Sequence, residues 1–254
     1  MAGRTLEELG LAEAARDHPL AYPGTWPAGT GLLDGDRMLP LERLVHADRR
    51  PVLAVGSNAS PGQLRHKMAE FGVPGVIPMV RARVSGVEVG VSAHVSRMGY
   101  VSASPVKSQF GARELFVIWL DRRQLDVMDA SEGAPLPDGN FRRLWLPAPD
   151  VRVELADGRA LPGVYSYVNR HGVLRDGSGG PRRHPGQRAL LTELLARSAE
   201  LRRLFGVTPE EFSARARGDA RRCAHGTRLF AAHGWVTRSG LEPYGAGPAA
   251  GQAG

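Results

Sequence analysis

Apolar positions along the chain fall into two periods. Val80, Ala82 and Val84, followed by Val87, Val89 and Val91, alternate with other residues, the two-residue repeat of half-buried strands. Residues 115–120 read LFVIWL without a break, as a strand covered on both faces would. Shorter strands are expected at 51–55 and 100–104. A hairpin is expected around Asp157-Gly158, joining 151–155 to 164–168. Helical spacing appears elsewhere. Leu64 and Met68 share one face of a helix for which Ser60 can be the N-cap, Pro61 the first residue and Gln63 the partner in a capping box, with Gly72 to end it. A second helix starts at Asp121 with Gln124 at its N3 position. Leu190, Leu191, Leu194, Leu195, Leu201, Leu204 and Phe205 predict a further helix over 187–205. Strands outnumber helices and do not alternate with them regularly, so the expected class is α+β, with a mixed or barrel-like sheet and flanking helices.

Residues 1–50 are expected to be an N-terminal extension with one helical piece at 5–16 and a Pro/Gly-interrupted stretch after it. Tyr22, Trp26 and paired leucines predict that this extension packs on the body. The body itself is expected at 51–205 and a C-terminal extension at 206–254. The closing GAGPAAGQAG has little apolar content, so no order is expected from about residue 240.

The chain has 254 residues, 42% apolar and 23% charged, the composition of an ordinary soluble globular protein. No apolar run approaches the roughly 20 residues of a membrane span, and the charged N-terminus lacks the apolar core of an export signal. The single cysteine, Cys223, excludes an intramolecular disulfide and fits a reducing cytoplasm. The net charge of +7 raises the question of nucleic acid. Its source is arginine, in pairs scattered from Arg49-Arg50 to Arg221-Arg222, not a clustered stripe with interleaved aromatics. Nucleic acid is therefore not the expected partner.

Two places carry candidate chemistry. In the first, Val55-Gly56-Ser57-Asn58-Ala59 leads into the Ser60 helix. Glycine at a strand end lets a ligand approach the backbone, and free N–H groups at a helix start favour an anion. The same pattern also suits a plain strand-to-helix turn, with Asn58 bonded to its own backbone. In the second, DRRQLDVMDASEG (121–133), Leu125, Met128 and Glu132 are spaced i, i+3, i+7. That puts a carboxylate on the apolar stripe, in the last turn, where the helix dipole disfavours it. Both effects raise the proton affinity expected of Glu132, towards values useful in proton transfer. The alternatives are a helix that frays before Glu132 and leaves it solvated, or an arginine that pairs it.

Motifs for phosphate loops, zinc helices, redox cysteines and nucleophile elbows are missing from the sequence, and the eight histidines show no metal-ligand spacing. Cys223-Ala224-His225 does not make a nucleophile pair, since i, i+2 side chains on a helix point apart.

Together, V-L-A-V-G-S-N-A (52–59), Gly99-Tyr100-Val101-Ser102-Ala103-Ser104-Pro105, and LFVIWLDRRQLDVMDASEG (115–133) resemble the γ-glutamylcyclotransferase family and its AIG2-like relatives. Phe141-Arg142-Arg143 and Val164-Tyr165-Ser166-Tyr167 extend the resemblance over 51–205. It implies a cofactor-independent and metal-independent enzyme that closes a γ-glutamyl amine or amino acid to 5-oxoproline and releases the amine. Glu132 would be the general acid/base; Val55, Gly56, Ser57, Asn58 and Ala59 would hold the glutamyl part, with Tyr167 and Phe141 nearby. Val55 and Phe141 stand where the family has tyrosines, and Gly180 to Pro185 where it has a Ser/Pro-x-x-Tyr element. Those departures leave open a larger amine partner, or a binding protein on the same fold without catalysis. The resemblance does not give the oligomeric state.

Overall fold

The computed structural model describes residues 3–44 and 48–247. Its fold is α+β: a large mixed sheet with six helices in the described residues. In chain order the strands and helices are β1 (Arg4–Thr5), β2 (Gly31–Asp34), β3 (Arg37–Leu39), β4 (Arg50–Ala54), α1 (Pro61–Glu70), β5 (Ile77–Val91), β6 (Ala103–Leu120), α2 (Arg122–Glu132), β7 (Phe141–Pro147), β8 (Arg152–Leu155), β9 (Gly163–Asn169), β10 (Val173–Leu174), α3 (Gln187–Arg197), α4 (Ala199–Phe205), α5 (Pro209–Gly218), α6 (Ala220–Ala232) and β11 (Val236–Thr237). The main sheet runs β1-β3-β2-β5-β6-β4-β9-β7, with β8 also on β5. Strands β4 and β9 pair in parallel, and the other pairings are antiparallel.

Local chemistry explains most of these elements. The run at 115–120 is buried throughout because β6 is flanked by both β4 and β5. The two alternating valine runs form one strand, β5, whose register shifts between Ser85 and Val87. Gly86 makes that bend with φ +87, where a Cβ would meet the Asp150 carbonyl, so only glycine fits. Helix α2 opens with the expected capping box between Asp121 and Gln124 and closes on Gly133 in the left-handed conformation.

Several expected elements differ. Residues 5–16 form turns rather than a helix. Thr5 and Glu8 cap one another, but Gly10 adopts φ +67 and Leu6 N–H donates to Asp36 O, so tertiary pairing overrides the helical pattern. Strands β1 to β3 then attach the N-terminal segment to β5, and Leu6 and Leu11 join the core. The Ser60–Gln63 box does not close. Gln63 Oε1 instead accepts the Arg16 N–H at 3.1 Å, and Ser60 Oγ has no partner. No strand starts at residue 100; β6 begins at Ala103. A turn does form at Asp157-Gly158, but β8 pairs β5 while β9 lies between β4 and β7. The stretch 187–205 breaks at Ser198, whose hydroxyl caps α4 by accepting from Leu201 N–H. Chain order continues past residue 240 as far as Gly247: Leu241 is fully buried, Trp145 N–H donates to Gly245 O, and Tyr244 Oη donates to Asp150. The rest of the tail lies outside the described residues. Helices α3 to α6 enclose their own apolar cluster, with Phe205, Phe212 and Phe230 at its centre.

Candidate functional site

Strand β4 delivers the chain to Gly56, and residues Ser57–Ala59 form a single 3₁₀ turn before α1. The turn opens on a cleft of about 280 Å³ between the sheet, the start of α1, the end of α2 and the N-terminal segment. Val55, Gly56, Ser57, Asn58, Glu132, Phe141 and Tyr167 all line it. Ala59 does not. Its side chain is fully buried in the core, and its N–H is spent on Gly56 O within the turn.

Glu132 occupies the last turn of α2, with 15% of its side chain exposed. Neither expected alternative, a frayed end or an arginine partner, is found. Lys67 Nζ lies 2.8 Å from Glu132 Oε1 and 2.9 Å from Asn58 Oδ1, and Asn58 Nδ2 donates to the same Oε1 at 3.0 Å. Asn58, Lys67 and Glu132 thus close a triangle that fixes the amide orientation of Asn58. The bonds from Asn58 and Lys67 to Glu132 both fall on Oε1; Oε2 has no hydrogen-bond partner among the described residues. Helix α1 carries Lys67 inward beside Leu64 and Met68, and the ammonium side chain is 9% exposed. Burying such a pair is tolerable only with close geometry and further hydrogen bonds, and the Asn58 amide supplies them.

One wall is phenolic. The rings of Tyr22 and Tyr100 pack with centroids 4.5 Å apart. Tyr22 Oη accepts the Ala103 N–H at 2.7 Å, and Ser57 and Ser96 line the cleft with the two phenols. Burial pushes both phenols well above their ordinary range, and the neighbouring Glu132 charge adds to it; both remain protonated. Gly56 is needed here: a Cβ at that position would stand 2.4 Å from Tyr22 Oη.

The opposite side holds a separate ion pair. Tyr167 Oη donates to Asp129 Oδ1 at 2.7 Å, and Arg143 Nη1 lies 2.7 Å from Oδ2. Burial raises the Asp129 carboxyl despite these two partners. The Tyr167 ring lines the cleft, yet its proton is directed to Asp129. Phe141 contributes no polar atom and packs edge-on against the His94 ring, with centroids 5.3 Å apart. Cys223 lies away from the cleft lining. Its thiol donates to Ala216 O and burial pushes it up to about 11, which leaves it unsuited to nucleophilic attack.

Tyr22, Lys67, His94 and Tyr100 were not among the residues expected at the site, and all four line it. Lys67 alone had a usable signal, being one of two lysines in an arginine-rich chain and set beside the apolar face of a helix. Among the described residues no group of three or more histidine, cysteine or acidic side chains could hold a metal ion, and no helix is long and apolar enough to cross a membrane.

No protein-family model matches the chain, and no curated protein matches it. Parts of solved structures do align with it. A γ-glutamyl cyclotransferase aligns at 15% identity over 48% of this chain, with a TM-score of 0.38. The chain spans 66% of that structure's length. A solution structure of an Arabidopsis thaliana protein aligns at 16% identity, over 59% of this chain and 85% of its own, with a TM-score of 0.35. YkqA from Bacillus subtilis aligns at 14% identity, over 75% of this chain and 56% of its own, with a TM-score of 0.36.

Proposed function

We propose that the cleft binds a γ-glutamyl amine or γ-glutamyl amino acid and closes its glutamyl part to 5-oxoproline, with Glu132 as the general base and then the general acid. One observation carries this reading: a largely buried carboxylate faces the Gly56-Ser57-Asn58 turn, with one oxygen anchored by Lys67 and Asn58 and the other unpartnered. An α-ammonium placed at Oε2 would transfer a proton to Glu132. The freed amine attacks the γ-carbonyl carbon of the same molecule and forms the lactam C–N bond. The ring nitrogen then passes its second proton to the nitrogen of the partner amine, Glu132 returns the first proton to that same nitrogen, the bond to it breaks, and it leaves as the ammonium. Atoms balance without water, cofactor or enzyme nucleophile. Ring closure within one molecule also draws on the large effective concentration of adjacent reacting groups.

The Lys67 ammonium and the Asn58 amide together hold Oε1, so Oε2 is the atom presented to the substrate amine. The unspent turn and wall donors, with Tyr100 beside them, would orient the glutamyl carboxylate.

A second reading has one observation in its favour. Because Lys67 already matches the charge of Glu132, the same cleft could hold a γ-glutamyl ligand without turning it over. The deciding experiment incubates the protein with γ-glutamyl amino acids, γ-glutamyl amines and glutathione, and measures 5-oxoproline by mass spectrometry beside Glu132→Gln. Product that disappears in the variant supports the cyclase. Ligand binding by calorimetry with no product from wild type supports the binding protein.

A further inference from the structure

His94 is 2% exposed and lines the same cleft, yet nothing in the proposed proton transfer employs it. Its ring is held on three sides. Asn169 Nδ2 lies 2.9 Å from Nδ1, Ser92 Oγ is 3.0 Å from the same nitrogen, and the rings of Phe141 and His171 pack at 5.3 and 6.0 Å between centroids. The hydrogen-bond network also decides its tautomer. Asn169 Oδ1 accepts the His171 N–H at 2.9 Å, so the amide must turn its NH₂ group to His94. Nδ1 is therefore an acceptor and the single ring proton is on Nε2. Burial lowers the imidazole to about 3, and His171 adds to the effect, so the ring is neutral throughout the physiological range. Nε2 has no hydrogen-bond partner among the described residues.

Resting on the cyclase reading above, we infer that His94 is a further catalytic residue: its fixed Nε2–H donates to the γ-carbonyl oxygen of the bound γ-glutamyl group as that oxygen gains charge during ring closure. A carboxylate is fully charged on binding and is better served by a cation or by backbone N–H groups. An oxygen that acquires charge only during reaction is best met by a rigid donor that needs no reorganisation and exchanges no proton with the leaving amine. Asn169 and Ser92 are positioning residues for this donor, since they reach the substrate only through the ring.

The test has three parts. Long-range ¹H–¹⁵N spectra of wild type at neutral pH should show His94 as one neutral tautomer protonated on Nε2; a ring protonated on Nδ1, or on both nitrogens, overturns the assignment. Steady-state 5-oxoproline formation should fall about 10²- to 10³-fold in kcat for His94→Phe with KM within about threefold, as for loss of an oxyanion donor. His94→Gln, which keeps an N–H near the Nε2 position, should restore most of that loss. Finally, the Nε2–H resonance of inactive Glu132→Gln should shift when γ-glutamyl-p-nitroanilide is added. Wild-type turnover with unchanged kcat in His94→Phe overturns the role of His94 alone. Absence of 5-oxoproline from wild type across the whole panel overturns the cyclase reading, and this role with it. If His94→Phe fails to fold, the tautomer and the ligand-induced shift decide.

Discussion

Helix α2 presents two carboxylates one turn apart, Asp129 and Glu132, and the surroundings give them opposite characters. Asp129 has both oxygens occupied, Oδ1 by the Tyr167 hydroxyl and Oδ2 by Arg143. Glu132 takes both of its partners, Lys67 and Asn58, on Oε1 and leaves Oε2 open to the cleft. Counting ion pairs would rank the two as equals. Counting satisfied lone pairs separates a closed structural pair from an open reactive one, because only an oxygen without a partner can accept a substrate proton without first breaking a native bond.

The comparison can be broken in order of expected effect. Glu132→Gln keeps the shape of the side chain and its place beside Asn58, and should reduce 5-oxoproline formation about 10²- to 10⁴-fold, as for loss of a general acid/base. An equal loss in Asp129→Asn would erase the distinction between the two carboxylates. Next, Lys67→Met strands the Glu132 charge in a pocket where both partners are nearly enclosed. It should lower the urea unfolding free energy by about 3–5 kcal/mol, and the double variant Lys67→Met/Glu132→Gln should recover part of that. Arg143→Met should cost less, about 1–2 kcal/mol, since the Arg143 side chain is 26% exposed and solvent screens the charge it leaves.

The pH dependence sharpens the contrast further. Because the Asp129 carboxyl is raised in the folded protein, chiefly by burial, the native state holds that proton more tightly than the unfolded chain does. Stability from its protonation is present at low pH and is lost as pH climbs from the ordinary carboxylate range through the folded value. Asp129→Asn cannot titrate there. The advantage of wild type over this variant in unfolding free energy should therefore shrink with rising pH, and a constant difference would mean that Asp129 is not raised. Smallest of all, Tyr167→Phe should cost about 1 kcal/mol, the worth of one hydrogen bond, with kcat unchanged if the Tyr167 proton serves Asp129 alone.

The legible parts of this molecule were those encoded within one turn or one strand. The Asp121–Gln124 box, the buried run at 115–120 and the placement of Glu132 on the inner face of α2 each follow from residues a few positions apart. Ala59 belongs to the stretch that the family resemblance implies for the site, but its side chain turns into the core and the 3₁₀ turn consumes its N–H. Lys67 stands 65 residues from Glu132 in sequence, and no periodicity records that meeting. The helix expected at 5–16 failed for the same reason in reverse: its pattern was adequate locally, but β3 and Gly10 imposed another path. Ser198 shows the milder case, a break in an apolar stripe that leucine spacing alone had smoothed over.

Tyr22 carries a consequence for the order in which the molecule is built. Its hydroxyl bonds Ala103 across 81 residues, and Arg16 reaches Gln63 across 47, so the phenolic wall closes only after distant segments have met. Loop closure over such spans is the slow part of assembling a chain. During refolding from urea, ligand binding should therefore return later than the far-ultraviolet signal of the helices. Tyr22→Phe, which removes the long-range bond but keeps the ring, should not shorten that lag.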